Sequence, residues 1–274
     1  MSGESAATCT GLVKIYRTAT GDVHALKGID ATFTAGTVTA VVGPSGSGKS
    51  SLLRIVAALD RPTAGMVEIG DVTVTASGRV PLRRIRRRLV GYVFQRPGHN
   101  LIPYMTVHEH MALAARVRGS DTAKDAARDA DDLLHTLGVW HRRDHLPHQL
   151  SGGEQQRVAF AQAVVAAPAI VVADEPTAEL DSVTGERLLD AVRSLTERGT
   201  SFVIATHDPN VVASAGRTLH LRHGALEGES TDMRMLSVID EAGRIQLPPR
   251  ALRLFGDRRA VIEVDDDHVR IVPP

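Results

Sequence analysis

The chain has 274 residues, 43% of them hydrophobic, and its 32 Lys and Arg balance 32 Asp and Glu to a formal net charge of zero. That length suits one large domain, or one domain with a small appendage, and it buries a core without covalent staples. Zero net charge argues against a protein that coats nucleic acid by bulk electrostatics, and the single cysteine, Cys9, excludes an internal disulfide framework and fits a reducing compartment.

In chain order, the opening MSGESAATCT has neither the basic start nor the apolar stretch of a signal peptide. No later apolar run approaches the ~18 residues of a membrane span, so a soluble intracellular protein is expected. The β-branched run Thr37–Val42 predicts a strand, followed by a Gly-rich loop and a helix to about Ala58. A basic run follows, with Arg79, Arg83, Arg84, Arg86, Arg87 and Arg88, and reads as a solvated face rather than a lipid contact. Val90–Phe94 predicts a further strand. The stretch Tyr104–Leu150 is rich in Ala, Leu and charge with few β-branched residues, and predicts a helical insertion. Ile170–Ala173 and Phe202–Thr206 are short core strands, each followed by a loop and a helical pattern. Strands alternating with helices predict an α/β domain with a largely parallel buried sheet. Seven of the twelve histidines lie between His99 and His148, but they show no zinc-ligand spacing, and His108 and His110 point to different helix faces.

Chemistry enters at Gly43, Pro44, Ser45, Gly46, Ser47, Gly48, Lys49 and Ser50, which match G-x-x-x-x-G-K-[ST] in full, with Ser51 next in the helix. The glycines let successive backbone N–H groups turn toward phosphate oxygens, and the helix N-terminus adds positive potential. Lys49 supplies a point charge for the β/γ-phosphates, and the Ser50 hydroxyl is a hard oxygen ligand for Mg²⁺. A second element, Ile170-Val-Val-Ala-Asp174-Glu175, is an apolar strand ending in two carboxylates. Asp174 is placed to reach the Mg²⁺ shell, and Glu175 to polarise a water for attack on the γ-phosphate. ATP and Mg²⁺ are therefore the expected ligands.

Leu150, Ser151, Gly152, Gly153 and Glu154 open a third element, LSGGEQQR, between the helical stretch and that strand. Here the chain resembles the ATP-binding cassette (ABC) ATPases, whose signature is LSGGQ-like, over roughly residues 8–228. Ser151, Gly152 and Gly153 precede a helix beginning near Glu154, a second helix N-terminus able to bind phosphate. The resemblance implies an α/β P-loop NTPase cassette: a RecA-like core, an antiparallel β subdomain and a helical signature subdomain. It also implies that the signature acts in trans, with two ATP molecules sandwiched in a head-to-tail homodimer. On the same basis Tyr16 matches the aromatic residue that stacks on adenine. Gln95 matches the residue that meets Mg²⁺ and the attacking water, Asp181 the loop that communicates across the dimer, and His207 the switch histidine at the γ-phosphate.

Residues 21–26, GDVHAL, and 173–177, ADEPT, look like the lipoprotein-releasing and macrolide-exporter branch, whose cassettes serve a separately encoded membrane subunit. The stretch FQRPGHNLIP at 94–103 is two residues longer than that branch's pattern and lacks its second Phe. Glu179 stands for a usual Asn, and Gln162 sits where Arg is common.

Residues 228–232, GESTD, predict a linker, spanning about 229–237, after a cassette of residues 1–228. Beyond it, Val238–Pro249 reads as strand–turn–strand, followed by a short helical stretch to Leu254. Val261–Val264 and Val269–Val272 then flank an Asp265–Asp267 turn, giving a small β-rich module over 238–274. Its GRIQLP core at 243–248 resembles the swapped-hairpin, AbrB-type module of bacterial regulators, which interleaves with a second copy. Residues 233–274 hold seven Arg against seven acidic residues, so dimer support is expected rather than DNA binding, and no nucleic acid partner is expected. The expected function is the ATP-hydrolysing subunit of an ABC transporter, bound to a separate permease at the cytoplasmic face of the cell membrane. The alternatives are a non-transport ABC ATPase, acting as a soluble motor or signalling switch, and a cassette with a DNA-binding regulatory tail.

Overall fold

A computed structural model describes residues 5–19, 21–79, 81–119, 123–231, 234–237, 260–264 and 269–272. Two long strands, β1 (Ser5–Thr18) and β2 (Gly21–Thr34), open the chain as an antiparallel pair. β3 (Val38–Val42) then leads through a tight loop into helix α1 (Lys49–Val56). β4 (Ala64–Ile69) and β5 (Val72–Thr75) complete a four-stranded antiparallel sheet in the order β2-β1-β4-β5. Helix α2 (Leu82–Leu89) carries the arginine run, burying only Ile85 among its residues, and hands over to β6 (Val90–Val93).

The stretch expected to be helical contains α3 (Val107–Arg118) and α4 (Ala123–Thr136), and is followed by the signature helix α5 (Gly152–Val164). Then come β7 (Ile170–Asp174), α6 (Ser182–Glu197), β8 (Phe202–Ala205), α7 (Pro209–Ser214) and β9 (Arg217–Arg222). The last cassette strands are β10 (Ala225–Thr231) and β11 (Arg234–Ser237).

The main sheet has seven strands in the order β11-β10-β9-β3-β8-β7-β6, parallel from β9 to β6 and antiparallel at β10 and β11. Its central strands are buried on both faces, which is why they read as continuous apolar runs. Alternation sends Val171, Ala173, Phe202 and Ile204 into one core with α3–α6. The intervening Ile170, Val172, Val203 and Ala205 enter a second core with α1 and the antiparallel sheet. Three parallel strands, β3, β7 and β8, thus end side by side, and the loops after them form one rim where a doubly covered sheet places its ligand.

One expectation is corrected. Residues 228–231 of the expected linker lie in β10, paired with β9 through Ser230↔Thr218 and Thr231↔Arg217, and Gly228–Thr231 pairs with β11. The described residues 229–231 and 234–237 therefore extend the sheet as strands. Glu229 takes both Nε and Nη2 of Arg217 at 2.5 Å. In the C-terminal region, β12 (Val261–Val264) and β13 (Val269–Val272) form the expected antiparallel pair. The expectations for 238–254 lie outside the described residues.

Candidate active site

The loop between β3 and α1 is confined on two sides. Gly43 has φ +154°, and a Cβ there would sit 2.1 Å from the Leu221 carbonyl oxygen; Gly48 has φ +107°, with a Cβ 2.5 Å from the Ala25 carbonyl oxygen. Only glycine gives both the left-handed backbone and the clearance. Lys49 curls back over this loop, its Nζ donating to the carbonyls of Gly43 at 2.7 Å and Pro44 at 3.2 Å. The Ser47 hydroxyl is buried without a hydrogen-bond partner among the described residues, an orphan that an anion in the loop would satisfy.

The Ser50 hydroxyl, one residue into α1, faces Asp174 at the end of β7 and favours its charged form. Burial raises the Asp174 carboxyl above its usual range; Ser50 and Lys49 oppose that shift, and the neighbouring Glu175 charge reinforces it. Glu175 turns at φ +46°, its amide donating to the Ala205 carbonyl at 2.9 Å. This bend aims its carboxylate across the strand ends, where Oε2 lies 2.9 Å from His207 Nδ1 and accepts from the His207 amide at 3.3 Å. The Glu175 hydrogen bond raises the His207 pKa above 6.5, so the ring gains charge beside a carboxylate.

Tyr16 on β1, opposite Val23 of β2, and Gln95 just beyond β6 complete the set. Tyr16, Gly43 through Ser51, Gln95, Asp174, Glu175 and His207 all line one cleft of about 770 Å³, within the ~300–1,000 Å³ usual for small-molecule sites. Sequence reasoning missed Val23, His24 and Ala25, which line the same cleft beside Tyr16. Their signal was available: a strand residue facing an aromatic in a neighbouring antiparallel strand shares its surface.

The signature lies elsewhere. Ser151 caps α5 with a reciprocal pair: its hydroxyl accepts from the Glu154 amide at 3.2 Å, and Glu154 Oε2 accepts from the Ser151 amide at 2.8 Å. Arg142 Nε holds the other Glu154 oxygen at 2.9 Å. Burial opposes the Glu154 charge, but the Ser151 amide and Arg142 together lower its pKa to about 2. Asp181 caps α6, accepting from the Thr184 amide at 3.0 Å and its hydroxyl at 2.8 Å, which lowers its carboxyl pKa. None of Leu150 through Glu154, nor Asp181, lines the cleft.

Residues 26–178 match the ABC transporter family model. The chain belongs to the ABC transporter family. An uncharacterised ABC transporter ATP-binding protein of Thermotoga maritima is 41% identical over 215 residues, 78% of this chain and 91% of the relative. The lipoprotein-releasing system ATP-binding protein LolD of Shewanella sp. strain MR-4 is 40% identical over 210 residues, 76% of this chain and 90% of the relative. Among solved structures, a dimeric ATP-binding cassette in a post-hydrolysis state with ADP and Pi is 35% identical with a TM-score of 0.73. The match covers 82% of this chain and 98% of that one. The expected cassette fold is therefore present, and the protein is an ATP-binding, ATP-hydrolysing subunit of ABC type.

Proposed function

We propose that this cassette binds ATP and Mg²⁺ between two copies of itself, hydrolyses the nucleotide there, and drives a separately encoded permease. The single observation behind this reading is the split: the phosphate loop, carboxylates and His207 share one cleft, while the capped N-terminus of α5 lies outside it. A head-to-tail pair brings the Leu150–Glu154 segment of one copy over the cleft of the other, with Asp181 beside the contact. The dimeric ADP- and Pi-bound relative supports that arrangement.

In each cleft Tyr16 carries the adenine, while Lys49 and the backbone N–H groups between Ser45 and Ser51 hold the phosphates. Ser50, Asp174 and Gln95 offer hard oxygen donors and line the same cleft, so the set fits Mg²⁺. When bound, Mg²⁺ neutralises charge on the β- and γ-phosphates. Glu175 accepts a proton from water as its oxygen attacks the γ-phosphorus, and the bond to the β-phosphate oxygen breaks to release ADP. Gln95 orients that water. His207, its charge favoured by Glu175, faces the γ-phosphate.

Relatives at about 40% identity favour the lipoprotein-releasing branch and a peripheral place on the inner membrane face, through the permease. Among the described residues no helix is long and apolar enough to cross a membrane. The segment after residue 237 is a second unit that supports self-association, its AbrB-like hairpin pairing with its copy. The β12–β13 pair leaves Ile262 65% exposed, a surface such pairing would cover.

Glu175→Gln tests the chemistry. The variant is expected to keep ATP affinity and lose at least about a hundredfold in turnover, the contribution of a positioned base. Near-normal turnover would remove Glu175 from the role.

A further inference from the structure

Lys14 sits beneath the end of the cleft assigned to adenine. It lies on β1 two residues before Tyr16, its side chain is 11% exposed, and its Nζ is 4.9 Å from the centre of the Tyr16 ring. A buried ammonium needs partners, and Lys14 has two more: Asp60 Oδ1 at 2.9 Å and the Arg61 carbonyl at 2.8 Å. Asp60 closes the cluster, with Oδ2 3.5 Å from the Tyr16 hydroxyl. Burial acts against the Asp60 charge, but Lys14 and the Arg61 amide outweigh it and lower its carboxyl pKa, which keeps the carboxylate charged beside Lys14.

The cluster also joins two parts of the site. Asp60 ends the turn that follows α1, with its amide on the Arg54 carbonyl, and α1 starts at Lys49 of the phosphate loop. The far end of the phosphate-loop helix is therefore tied, through Asp60 and Lys14, to the strand that carries Tyr16.

We propose that Lys14 is a positioning residue for nucleotide recognition, acting through Tyr16 from one side of its ring while the base stacks on the other. The proposal rests on the reading of Tyr16 as the adenine platform. Two effects follow from the geometry. A cation against one face draws electron density from the ring, which reduces the repulsion between the opposite face and a purine π-cloud. The Lys14–Asp60 link fixes the ring at a set distance from the phosphate loop, so base and phosphates are met together without rearrangement. Neither effect involves the γ-phosphate, so the consequences belong to the base.

The test compares ATP with inorganic tripolyphosphate, which has the phosphates without the base, both titrated with Mg²⁺ onto the full-length chain. Lys14→Met is expected to weaken ATP binding about fivefold, leave tripolyphosphate binding unchanged, and raise KM with kcat retained. Lys14→Arg, which keeps a cation over the ring, is expected to restore ATP binding. Lys14→Met combined with Asp60→Asn also removes the half-buried carboxylate left without its cation and should show the same base-dependent loss. Tyr16→Ala should lose ATP affinity selectively, and adding Lys14→Met to it should change nothing more. Equal losses for the two ligands, or no loss in Lys14→Met beside a clear loss in Tyr16→Ala, would overturn the role of Lys14 alone. No loss in Tyr16→Ala would overturn the platform reading and the proposal with it.

Discussion

Gly153 packs directly against Thr184: a Cβ on Gly153 would lie 2.1 Å from Thr184 Cγ2, while the next nearest atoms stand at 3.4 Å or more. Thr184 is not free to turn away, because Asp181 accepts from both its amide and its hydroxyl. The first turn of α5 and the first turn of α6 thus share one contact, which places the signature and Asp181 on one surface.

Gly153→Ala is therefore expected to push α5 off α6 and to lower ATPase activity at least tenfold while ATP binding to the single chain persists. Adding Thr184→Ser removes the obstructing methyl and keeps the hydroxyl for Asp181, so the double variant should recover most of the activity. Steady-state ATPase assays on the two variants check this. No recovery would show that Gly153 matters for something other than clearance.

Glu154 gives a pH-dependent stability with a definite sign. Its folded pKa, lowered from 4.5 to about 2, means its contribution is full above about 4.5 and disappears as pH falls toward 2. Glu154→Gln keeps an acceptor for the Ser151 amide but loses the charge paired with Arg142. The stability gap between wild type and Glu154→Gln, measured by urea unfolding, should be widest near neutrality and close as the pH drops through that window. A gap independent of pH would contradict the pairing.

His207 shifts the opposite way. Its pKa is raised by Glu175, so the charged pair exists below that raised value and is lost as pH rises through it. NMR titration of the His207 ring should give a midpoint above 6.5 in wild type and a lower one in Glu175→Gln. With the His207 side chain 76% exposed, high salt should narrow the difference. An unchanged midpoint in Glu175→Gln would separate the two residues in solution.

The phosphate loop, the Asp174–Glu175 pair and the signature were legible because each is a local motif at a strand-to-helix junction, where a few residues fix both backbone and chemistry. β1 and β2 were not read as strands from the residues. Their alternation is broken by register shifts, as between Cys9 and Leu12, which leave Gly11 at φ +53° unpaired. The polar stretch 228–231 read as a linker because it carries no apolar run, its place being set by pairing with β9 and β11 and by the Arg217–Glu229 contact. The Lys14–Asp60 link joins residues distant in the chain and carries no local signature at all.

The central claim is that each ATP site is shared between two chains, and mixing two defective chains tests it most directly. Lys49→Ala disables a chain's phosphate loop, and Ser151→Arg disables the signature it lends to its partner. Each alone should be nearly inactive. Mixed, they form pairs in which the intact loop of the Ser151→Arg chain meets the intact signature of the Lys49→Ala chain. Turnover in the mixture should rise well above the sum of the two separate samples. A mixture no more active than that sum would contradict a shared site.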